Sequence, residues 1–413
     1  MKYFDQSTAK LLNSPLAPYV ETYKQHFIQE SYSPITIRKY FYCIAHFAHW
    51  MTQSNIDIYH LNKTTINKFI YGHLPVCTCK NASRTKTDTH AALTHLLNIL
   101  LEEGVLTPLH KKLTPVDKEL QAFDDYMNHV KGLAPKTRSG YLCIIKRLLS
   151  EQFSGKPVVI SAIKTKDVRQ FLNSQKQLYT TSGDFSLLIS SVRGYFRYRI
   201  TCGDQVNHLI GVTNYPANWQ FSSLPKALNS EEIQRLLKTL DYNGPSALRT
   251  KAIVHCALDL GLRSCEIAHL GLDDIDWQAG TIILKKTKSR REDTMPLPET
   301  TGIALADYLR FERPQTKKNR SVFVRSIAPL EQVISPNVVR YAIRQAYERA
   351  GLPYTRAHLL RHTMANRLLN KGSSLKEVAD ILRHRSLNTT MIYAKLDSRS
   401  LVKVALPWPW RKS

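Results

Sequence analysis

The sequence predicts a mainly α-helical protein with one small antiparallel β-sheet, which lies in an α+β domain at the C-terminal end. Amphipathic segments with helix-capping residues recur along most of the chain. Residues 280–284 (GTIIL) read as a strand, a return begins at residue 295, and a basic stretch lies between them, as in a β-hairpin. The first half contains two similar helical segments, so we expect two helical units before the α+β domain.

The evidence for two units is an internal repeat with an offset near one hundred residues. Pro34 aligns with Pro135, and Tyr40 aligns with Tyr141. The matched segments are 33–41 with 134–142, 61–70 with 163–172, and 93–104 with 192–203. These matches predict similar units at about 18–106 and 117–204. The alternative is an unrelated helical bundle whose short pattern matches by chance.

Domain boundaries follow from changes in composition. Residues 205–226 contain two prolines and little periodicity, which is typical of a linker. The predicted division is an N-terminal helical unit at 1–112, a second helical unit at 113–210, a linker at 211–226, and the α+β domain with its C-terminal tail at 227–413.

Helix-start signals define the elements of the last domain. Asn229 precedes Glu232 by three residues, and Ser374 precedes Glu377 in the same way, so each pair predicts a capping box. Pro336 occupies the favoured first position of another helix. A helix from His358 is expected to stop at Gly372, a residue suited to the left-handed cap.

Composition restricts the class of partner and the compartment. The net charge of +25 and the pI near 9.7 indicate a polyanionic partner, although ribosomal and membrane-surface proteins share this feature. No apolar run approaches the length of a membrane span, and the N-terminus has no signal-peptide core. We therefore expect a soluble protein inside the cell, with no membrane partner.

Cysteine usage favours a reducing compartment, because the seven cysteines are odd in number and scattered through helical segments. Cys77 and Cys79 form a CxC motif with His73 and His90 within reach along the chain. No second cysteine pair completes four ligands, so the sequence favours a plain loop over a zinc site.

Two stretches near the C-terminus carry a set of polar residues in a distinctive order. Arg263 lies in a leucine-rich frame, and Glu266 follows it by three residues. The second stretch opens with a helix start and ends after a short polar turn; its polar residues are His358, Arg361, His362, His384 and Tyr393. Taken separately, these could be a surface ion pair and a solvated helix face.

Together, their order and spacing resemble the two boxes of the tyrosine recombinases, the phage integrase family. The resemblance implies a tyrosine-recombinase catalytic domain at 227–413. It also implies that each helical unit resembles the SAM-like core-binding domain, which usually appears once in the family. In that family the core-binding and catalytic domains clamp duplex DNA.

The resemblance implies a role for each main residue. Tyr393 would be the nucleophile, forming a covalent 3′-phosphotyrosine. Arg263 and Arg361 would grip phosphate oxygens. His358 would accept the tyrosine proton or orient the phosphate, and His384 would donate to a non-bridging oxygen.

The family also has a lysine on the hairpin, which would act as general acid for the leaving 5′ oxygen. Lys288 is the chosen candidate, and Lys285 and Lys286 compete with it. Glu266 would hold Arg263 or His358 in place, and His362 would be structural. The arginines would do the work of a metal pair, so no cofactor is implied.

The sequence departs from the family at Arg383, where glycine is usual before the second-box histidine. An arginine there would change the turn at the helix end or add a phosphate contact. The tail after Tyr393, with Trp408 and Trp410, is expected to dock on a neighbouring protomer. The alternative for the tail is that it folds back on its own domain.

A basic face of the second unit is the candidate DNA-binding surface. Its members are Lys136, Arg138, Lys146, Arg193 and Arg197. A solvated face around an aromatic core is the alternative for individual members.

The interpretation is a site-specific DNA recombinase, the integrase or transposase of a mobile element. Its partners would be double-stranded DNA with specific target sites, a homo-tetramer on synapsed DNA, and accessory recombination proteins. The expected location is the cytoplasm, associated with the nucleoid. The alternatives are a type IB topoisomerase-like strand transferase and a non-catalytic DNA-binding paralogue.

Overall fold

A computed structural model gives the fold of the 413-residue chain. It describes residues 11–79, 85–107, 113–179, 182–214, 226–285, 292–316, 319–330, 332–383, 390 and 392–393. Lys286, Lys288 and His384 lie outside the described residues, as do most of the linker and the tail after Tyr393.

Helices dominate the described chain, as the sequence predicted. The first segment contains α1 (Val20–Gln29), α2 (Pro34–Gln53), α3 (Lys63–Asn67), which continues as a π-helical turn (Lys68–His73), and α4 (Lys86–Glu102). The second contains α5 (Pro115–Asp125), a π-helical turn (Tyr126–Val130), α6 (Pro135–Phe153), α7 (Thr165–Gln175), α8 (Ser182–Thr201) and α9 (Asn207–Ile210). Both segments therefore have the same order of elements: a helix, a long helix opened by proline, a shorter helix, and a long helix.

Each helical segment buries an apolar core of its own. Phe27, Phe47 and Leu93 belong to the first core, and Phe123 and Leu148 belong to the second. The chain divides into two compact units, one formed by Leu109–Ser222 and the other by Met1–Pro108 together with Ser223–Ser413. The four-part domain division made from the sequence stays a prediction.

The last segment combines helices with the predicted small sheet. Its helices are α10 (Ser230–Lys238), α11 (Ala247–Leu258), α12 (Ser264–Ala268), α13 (Glu299–Asp307) with a π-helical turn (Tyr308–Glu312), α14 (Pro336–Arg349), α15 (His358–Asn370) and α16 (Leu375–Ile381). Its strands are β1 (Ile275–Asp276), β2 (Thr281–Leu284) and β3 (Asp293–Pro296), in the order β1-β2-β3.

The sheet is antiparallel, and one of its faces is buried. Ile282 pairs with Ile275 on one side and with Met295 on the other, and all three side chains are buried. Leu284 is buried as well, because it lies two residues further along β2 and side chains alternate between faces. The sheet thus packs on the helices, and the β2–β3 hairpin connection carries residues 285–292.

The predicted helix caps are present. Asn229 and Glu232 form the capping box of α10, and Ser374 and Glu377 form that of α16. Pro336 occupies the first turn of α14. Gly372 follows α15 with a φ of 99°, in the left-handed region that glycine adopts without strain.

The length and hydropathy of the helices bear on membrane insertion. Among the described residues, no helix is both long and apolar enough to cross a bilayer.

Candidate active site

Arg263 is positioned by a tight turn that links α11 to α12. Gly261 has a φ of 58°, and a Cβ at this position would lie 3.0 Å from Met364 Sδ and 3.1 Å from Leu382 Cδ2. Arg263 then takes extended backbone and forms the N-cap position of α12. A side chain here would adopt an unfavourable positive φ and would press on Met364 and Leu382, so glycine is favoured at this turn.

Glu266 is the centre of a buried charge network. It is 4% exposed, and its carboxylate lies 2.6 Å from Arg263 Nη1 and 2.9 Å from Arg383 Nη2. Its second oxygen also accepts the Arg263 backbone N–H at 2.8 Å. Burial would raise the pKa of this carboxyl, but the two arginines and the backbone hydrogen bond outweigh burial and lower the pKa below its usual value.

Arg361 lies in the first turns of α15 and is 4% exposed. Its two Nη groups donate to the backbone carbonyls of Gly261 and Leu382, so it joins the α11–α12 turn to the end of α16. Burial, together with the charges of Arg263 and Arg383, lowers its pKa to about 9. The guanidinium therefore stays a cation near neutral pH.

Tyr393 is buried against α15 and α16 and meets a histidine. It is 2% exposed and belongs to a small apolar cluster with Met364, Val378 and Leu382. Its hydroxyl lies 2.6 Å from His362 Nδ1. Burial raises the pKa of Tyr393 to about 12, although the Arg361 charge acts in the opposite direction. The hydroxyl is therefore protonated at neutral pH.

His362 is neutral at the same pH. Burial, with smaller contributions from His358 and Arg361, lowers its pKa to about 4. A neutral imidazole whose Nδ1 carries the lone pair accepts a hydrogen bond from the tyrosine hydroxyl. The contact thus pairs a protonated phenol with a possible proton acceptor.

The two histidines of α15 have different surroundings. His362, for which the sequence predicted a structural role, is the residue in contact with the Tyr393 hydroxyl. His358 is exposed, and its ring centroid lies 6.4 Å from that of His362. Residues i and i+4 share a helical face, so the sequence identified the face but not which ring would reach the tyrosine.

Arg383, at the position where the family usually has glycine, adopts a glycine-like backbone conformation and a buried side chain. Its φ is 54°, a left-handed conformation that glycine adopts more readily. Its guanidinium points inward, where it is 6% exposed, pairs with Glu266 and contacts Met295 Sδ. The sequence had left open a changed turn at the helix end or an added phosphate contact, and the guanidinium is instead directed inward to Glu266. The helix α16 ends at Ile381.

Among the lysine candidates, the structure describes Lys285 alone. It lies at the end of β2, is exposed, and its Nζ is 2.8 Å from Asp274 Oδ1. The hydrogen bond to Asp274 raises its pKa. A lysine in this state holds its proton more firmly than a general acid should.

The candidate DNA-binding residues of the second unit divide into two groups. Lys136 and Arg197 are exposed, and Arg193 is half-buried. Arg138 pairs with Asp124 at 3.4 Å, and Lys146 pairs with Asp117 at 3.0 Å. The exposed members are better placed to meet a phosphate than those already paired with carboxylates.

The sequence did not predict the contacts that His362 and Arg383 make. The contact between His362 and Tyr393 joins residues 31 positions apart in the sequence, so local spacing does not predict it. For Arg383, the one indication in the sequence was the replacement of the usual glycine by a long basic side chain, which the fold has to accommodate.

Comparisons with known proteins give the wider setting. Residues 226–399 match the Phage integrase family. The chain is 29% identical over 417 residues to the putative integrase/recombinase y4rA of Sinorhizobium fredii, covering 99% of both. It is 30% identical over 325 residues to the putative integrase/recombinase y4rF of that organism, covering 77% of this chain and 76% of y4rF. A crystal structure of the XerH site-specific recombinase, bound to palindromic difH substrate, aligns with a TM-score of 0.55 and 19% identity, over 73% of this chain and 99% of that one.

A mainly helical domain that brings a tyrosine, two arginines and a carboxylate together defines a tyrosine recombinase catalytic domain. This chain belongs to the phage integrase family. It is a site-specific recombinase that binds DNA and cuts and rejoins DNA strands.

Proposed function

We propose that this recombinase serves a mobile element, as an integrase or transposase acting at specific target sites. The putative integrase/recombinase y4rA aligns over nearly the whole chain, including the duplicated helical segment. Chromosome-dimer resolvases of the Xer type generally lack such a duplication. Its DNA substrate supports the predicted location in the cytoplasm, associated with the nucleoid.

The observation that carries the catalytic assignment is the 2.6 Å contact between Tyr393 Oη and His362 Nδ1. Tyr393 attacks a backbone phosphorus, and a new P–O bond forms as the bond to the 5′ oxygen breaks. The phenolic proton must leave during this step, and a neutral imidazole at hydrogen-bond distance can take it. The covalent 3′-phosphotyrosine keeps the bond energy for rejoining to another strand.

Arg263 and Arg361 stabilise the charge that develops on the non-bridging oxygens. Guanidinium groups bind such oxygens through two parallel donors. Glu266 holds Arg263 in place, and Arg383 adds a second cation to that carboxylate. The arginines matter most in the pentacoordinate transition state, where the charge is greatest.

The remaining roles fall to Lys288, His358 and His384. Lys288 delivers a proton to the departing 5′ oxygen. The exposed His358 orients the phosphate, and His384 donates to a non-bridging oxygen. Lys285 already pairs with Asp274, which favours Lys288 over Lys285 as the general acid.

Covalent trapping tests the nucleophile. A nicked suicide duplex carrying the sequence that flanks the element would be incubated with wild type and with Tyr393→Phe, without added divalent metal. A denaturing gel should show a protein–DNA adduct that Tyr393→Phe does not form. Tyr341→Phe is the matched control, because Tyr341 is an exposed tyrosine of the same domain. Specific DNA binding by the wild type without an adduct would favour the non-catalytic paralogue.

Synapsis separates a recombinase from a topoisomerase-like enzyme. Two duplexes of different length, each carrying a target site, should yield recombinant strands and an assembly of four protomers. The assembly is expected to need both sites and, for full activity, accessory proteins. Efficient relaxation of supercoiled DNA that carries no target site would support the type IB topoisomerase alternative.

A further inference from the structure

Four side chains of the first helical segment bring metal-ligating atoms together. They are His46, His73, Cys77 and Cys79, none of which is among the active-site residues, and one ligand atom of each lies within 4.8 Å of the others. His46 lies on α2, and His73 ends the π-helical turn that follows α3. Cys77 and Cys79 lie in the loop directly after that turn.

We propose that these four residues form a Cys2His2 site for a structural zinc ion. Zinc binds thiolate sulfur at about 2.3 Å and histidine nitrogen at about 2.0–2.1 Å in a tetrahedron. Those bond lengths place neighbouring ligand atoms roughly 3.3–3.8 Å apart. His46 Nε2 and His73 Nε2 are 3.2 Å apart, and Cys79 Sγ is 3.8 Å from His73 Nε2.

The chemistry of the ligand set favours zinc in a structural role. Two thiolates and two imidazoles suit Zn²⁺, whereas Mg²⁺ and Ca²⁺ prefer oxygen ligands. Four protein ligands complete the tetrahedron and leave no open position for a substrate. A metal here would therefore hold the fold together, and it would not take part in the DNA chemistry.

The surroundings of the cluster are suited to a fixed site. His46 is 6% exposed, and the Phe69 ring packs against it with centroids 5.0 Å apart. The Phe69 ring also stacks on His73, with centroids 5.3 Å apart, and the Trp50 ring lies 6.0 Å from His73. These aromatic contacts limit the rotation of both imidazoles, which lowers the entropy lost when they bind an ion.

The second helical segment provides an internal comparison. When the two segments are aligned by the repeat, Arg147, Gln175 and Tyr179 occupy the positions of His46, His73 and Cys77. Arg147 Nη1 lies 3.3 Å from Gln175 Oε1 and 3.4 Å from Tyr179 Oη. Ordinary hydrogen bonds therefore join the long helix to the end of the shorter helix in the second segment.

The first segment makes the same junction with residues that can bind a metal. The shared fold alone does not require histidine and cysteine at these positions, because the second segment makes the junction without them. The sequence had favoured a loop and had considered His73 and His90 as neighbours of the CxC motif. The structure brings in His46, and His90 instead lies near Thr94 on its own helix. Tertiary packing of α2 supplies the ligand that the linear spacing concealed.

Metal binding also has a defined proton balance. Each cysteine binds as a thiolate, so a thiol that is protonated beforehand releases its proton on coordination. The histidines bind as neutral imidazoles. Binding should therefore weaken as the pH falls, and it should stabilise the first helical segment because the unfolded chain has no preformed site.

The test uses the full-length protein, purified under reducing conditions, loaded with zinc sulfate and dialysed. Elemental analysis should find one zinc per chain. Cys77→Ser/Cys79→Ser should lose most of that metal, whereas Cys143→Ser/Cys202→Ser should keep it, because both of those cysteines are exposed and lie in the second segment. A chelator should lower the Tm of the wild type and leave the Tm of Cys77→Ser/Cys79→Ser unchanged.

Cobalt substitution keeps the proposal testable even if the cysteine variant fails to fold. Wild type loaded with Co²⁺ should show the visible bands of a tetrahedral ion and near-ultraviolet thiolate charge-transfer bands. A cobalt spectrum without thiolate bands would overturn the proposal. So would zinc retention that is equal in the wild type and in Cys77→Ser/Cys79→Ser.

Discussion

At the scale of single residues, burial sets the protonation state of Tyr393. A pKa raised to about 12 keeps the hydroxyl neutral, so the proposed attack on a phosphate requires removal of its proton during the reaction. His362 lies at hydrogen-bond distance and has a pKa lowered to about 4, so it is free to accept that proton near pH 7. The two shifts run in opposite directions because burial disfavours the charged form of each group.

This pairing predicts a large kinetic effect at His362. His362→Gln keeps a polar side chain but cannot accept a proton, so the rate of adduct formation should fall by about 10²- to 10⁴-fold. Single-turnover trapping on the suicide duplex measures the rate, and DNA affinity should be unchanged. His358→Gln is the comparison on the same helix face, and it tests the phosphate-orienting role proposed for His358. A normal rate in His362→Gln, with a loss in His358→Gln, would assign the proton transfer to His358.

Arg383 makes a second prediction at this scale. Arg383→Gly removes one of the two cations that lower the pKa of Glu266, so that pKa should rise. A carboxyl with a depressed pKa contributes stability above its unfolded pKa and loses it as the pH falls through the folded pKa. The variant should therefore lose stability and activity at a higher pH than the wild type does.

Arg383→Gly also changes the backbone strain at this position. Glycine relieves a left-handed φ that costs a non-glycine residue about 1–2 kcal/mol, so part of the loss at neutral pH is offset. Urea unfolding and adduct formation, each measured from pH 7 downward, give the two profiles. Arg383→Lys keeps the charge and should stay closer to the wild type. Profiles that coincide for all three proteins would show that Arg383 does not act through Glu266.

At the scale of elements, short turns position the long helices. The α11–α12 turn carries Gly261 and Arg263, and its carbonyl binds Arg361 on α15. The end of α16 gives a second carbonyl to the same guanidinium. The α11–α12 turn therefore meets the consecutive helices α15 and α16 at one buried cation, so the geometry of each turn is transmitted to the site.

Gly261 is the test of that arrangement. Gly261→Ala should destabilise the protein by more than the roughly 1–2 kcal/mol expected for a left-handed φ, because its Cβ would also press on Met364 and Leu382. Gly280→Ala is the matched control, since its φ is 61° and a Cβ there meets nothing within 4 Å. Urea unfolding of the two variants separates the cost of a left-handed φ, which both share, from the crowding that affects Gly261 alone. Equal losses in the free energy of unfolding would mean that the site tolerates the added methyl.

At the scale of the whole molecule, charge governs the encounter with DNA. A net charge of +25 favours binding to phosphates regardless of base sequence. In the second unit, Arg138 and Lys146 are engaged by carboxylates, whereas Lys136 and Arg197 are exposed. The exposed pair is therefore the better candidate for phosphate contacts.

The salt dependence of binding tests this assignment. Each phosphate contact contributes about −0.9 to the slope of log K against log salt concentration. Lys136→Gln/Arg197→Gln should therefore make the slope shallower by about two and weaken binding to specific and unrelated duplexes alike. Arg320→Gln is the control, because Arg320 is exposed but already paired with Asp273. An unchanged slope in the double variant would move the DNA contact to another face.

Many features of the fold could be predicted from the sequence, because they depend on residues that lie close together along the chain. Capping pairs such as Ser374 with Glu377 define helix starts because the side chain and backbone involved are three residues apart. The strand predicted at 280–284 is present at Thr281–Leu284, where three of the four residues are β-branched. The repeat predicted the same order of helices in two segments, and the order of the polar residues indicated the family.

Only the tertiary structure decided which distant side chains meet. His362 rather than His358 contacts Tyr393, Arg383 turns inward to Glu266, and His46 joins the CxC loop. Each of these contacts joins separate elements, so its distance depends on how helices pack and in which direction each side chain leaves its turn. Local spacing limits the candidates to a helix face or a loop, and packing then selects one atom among them.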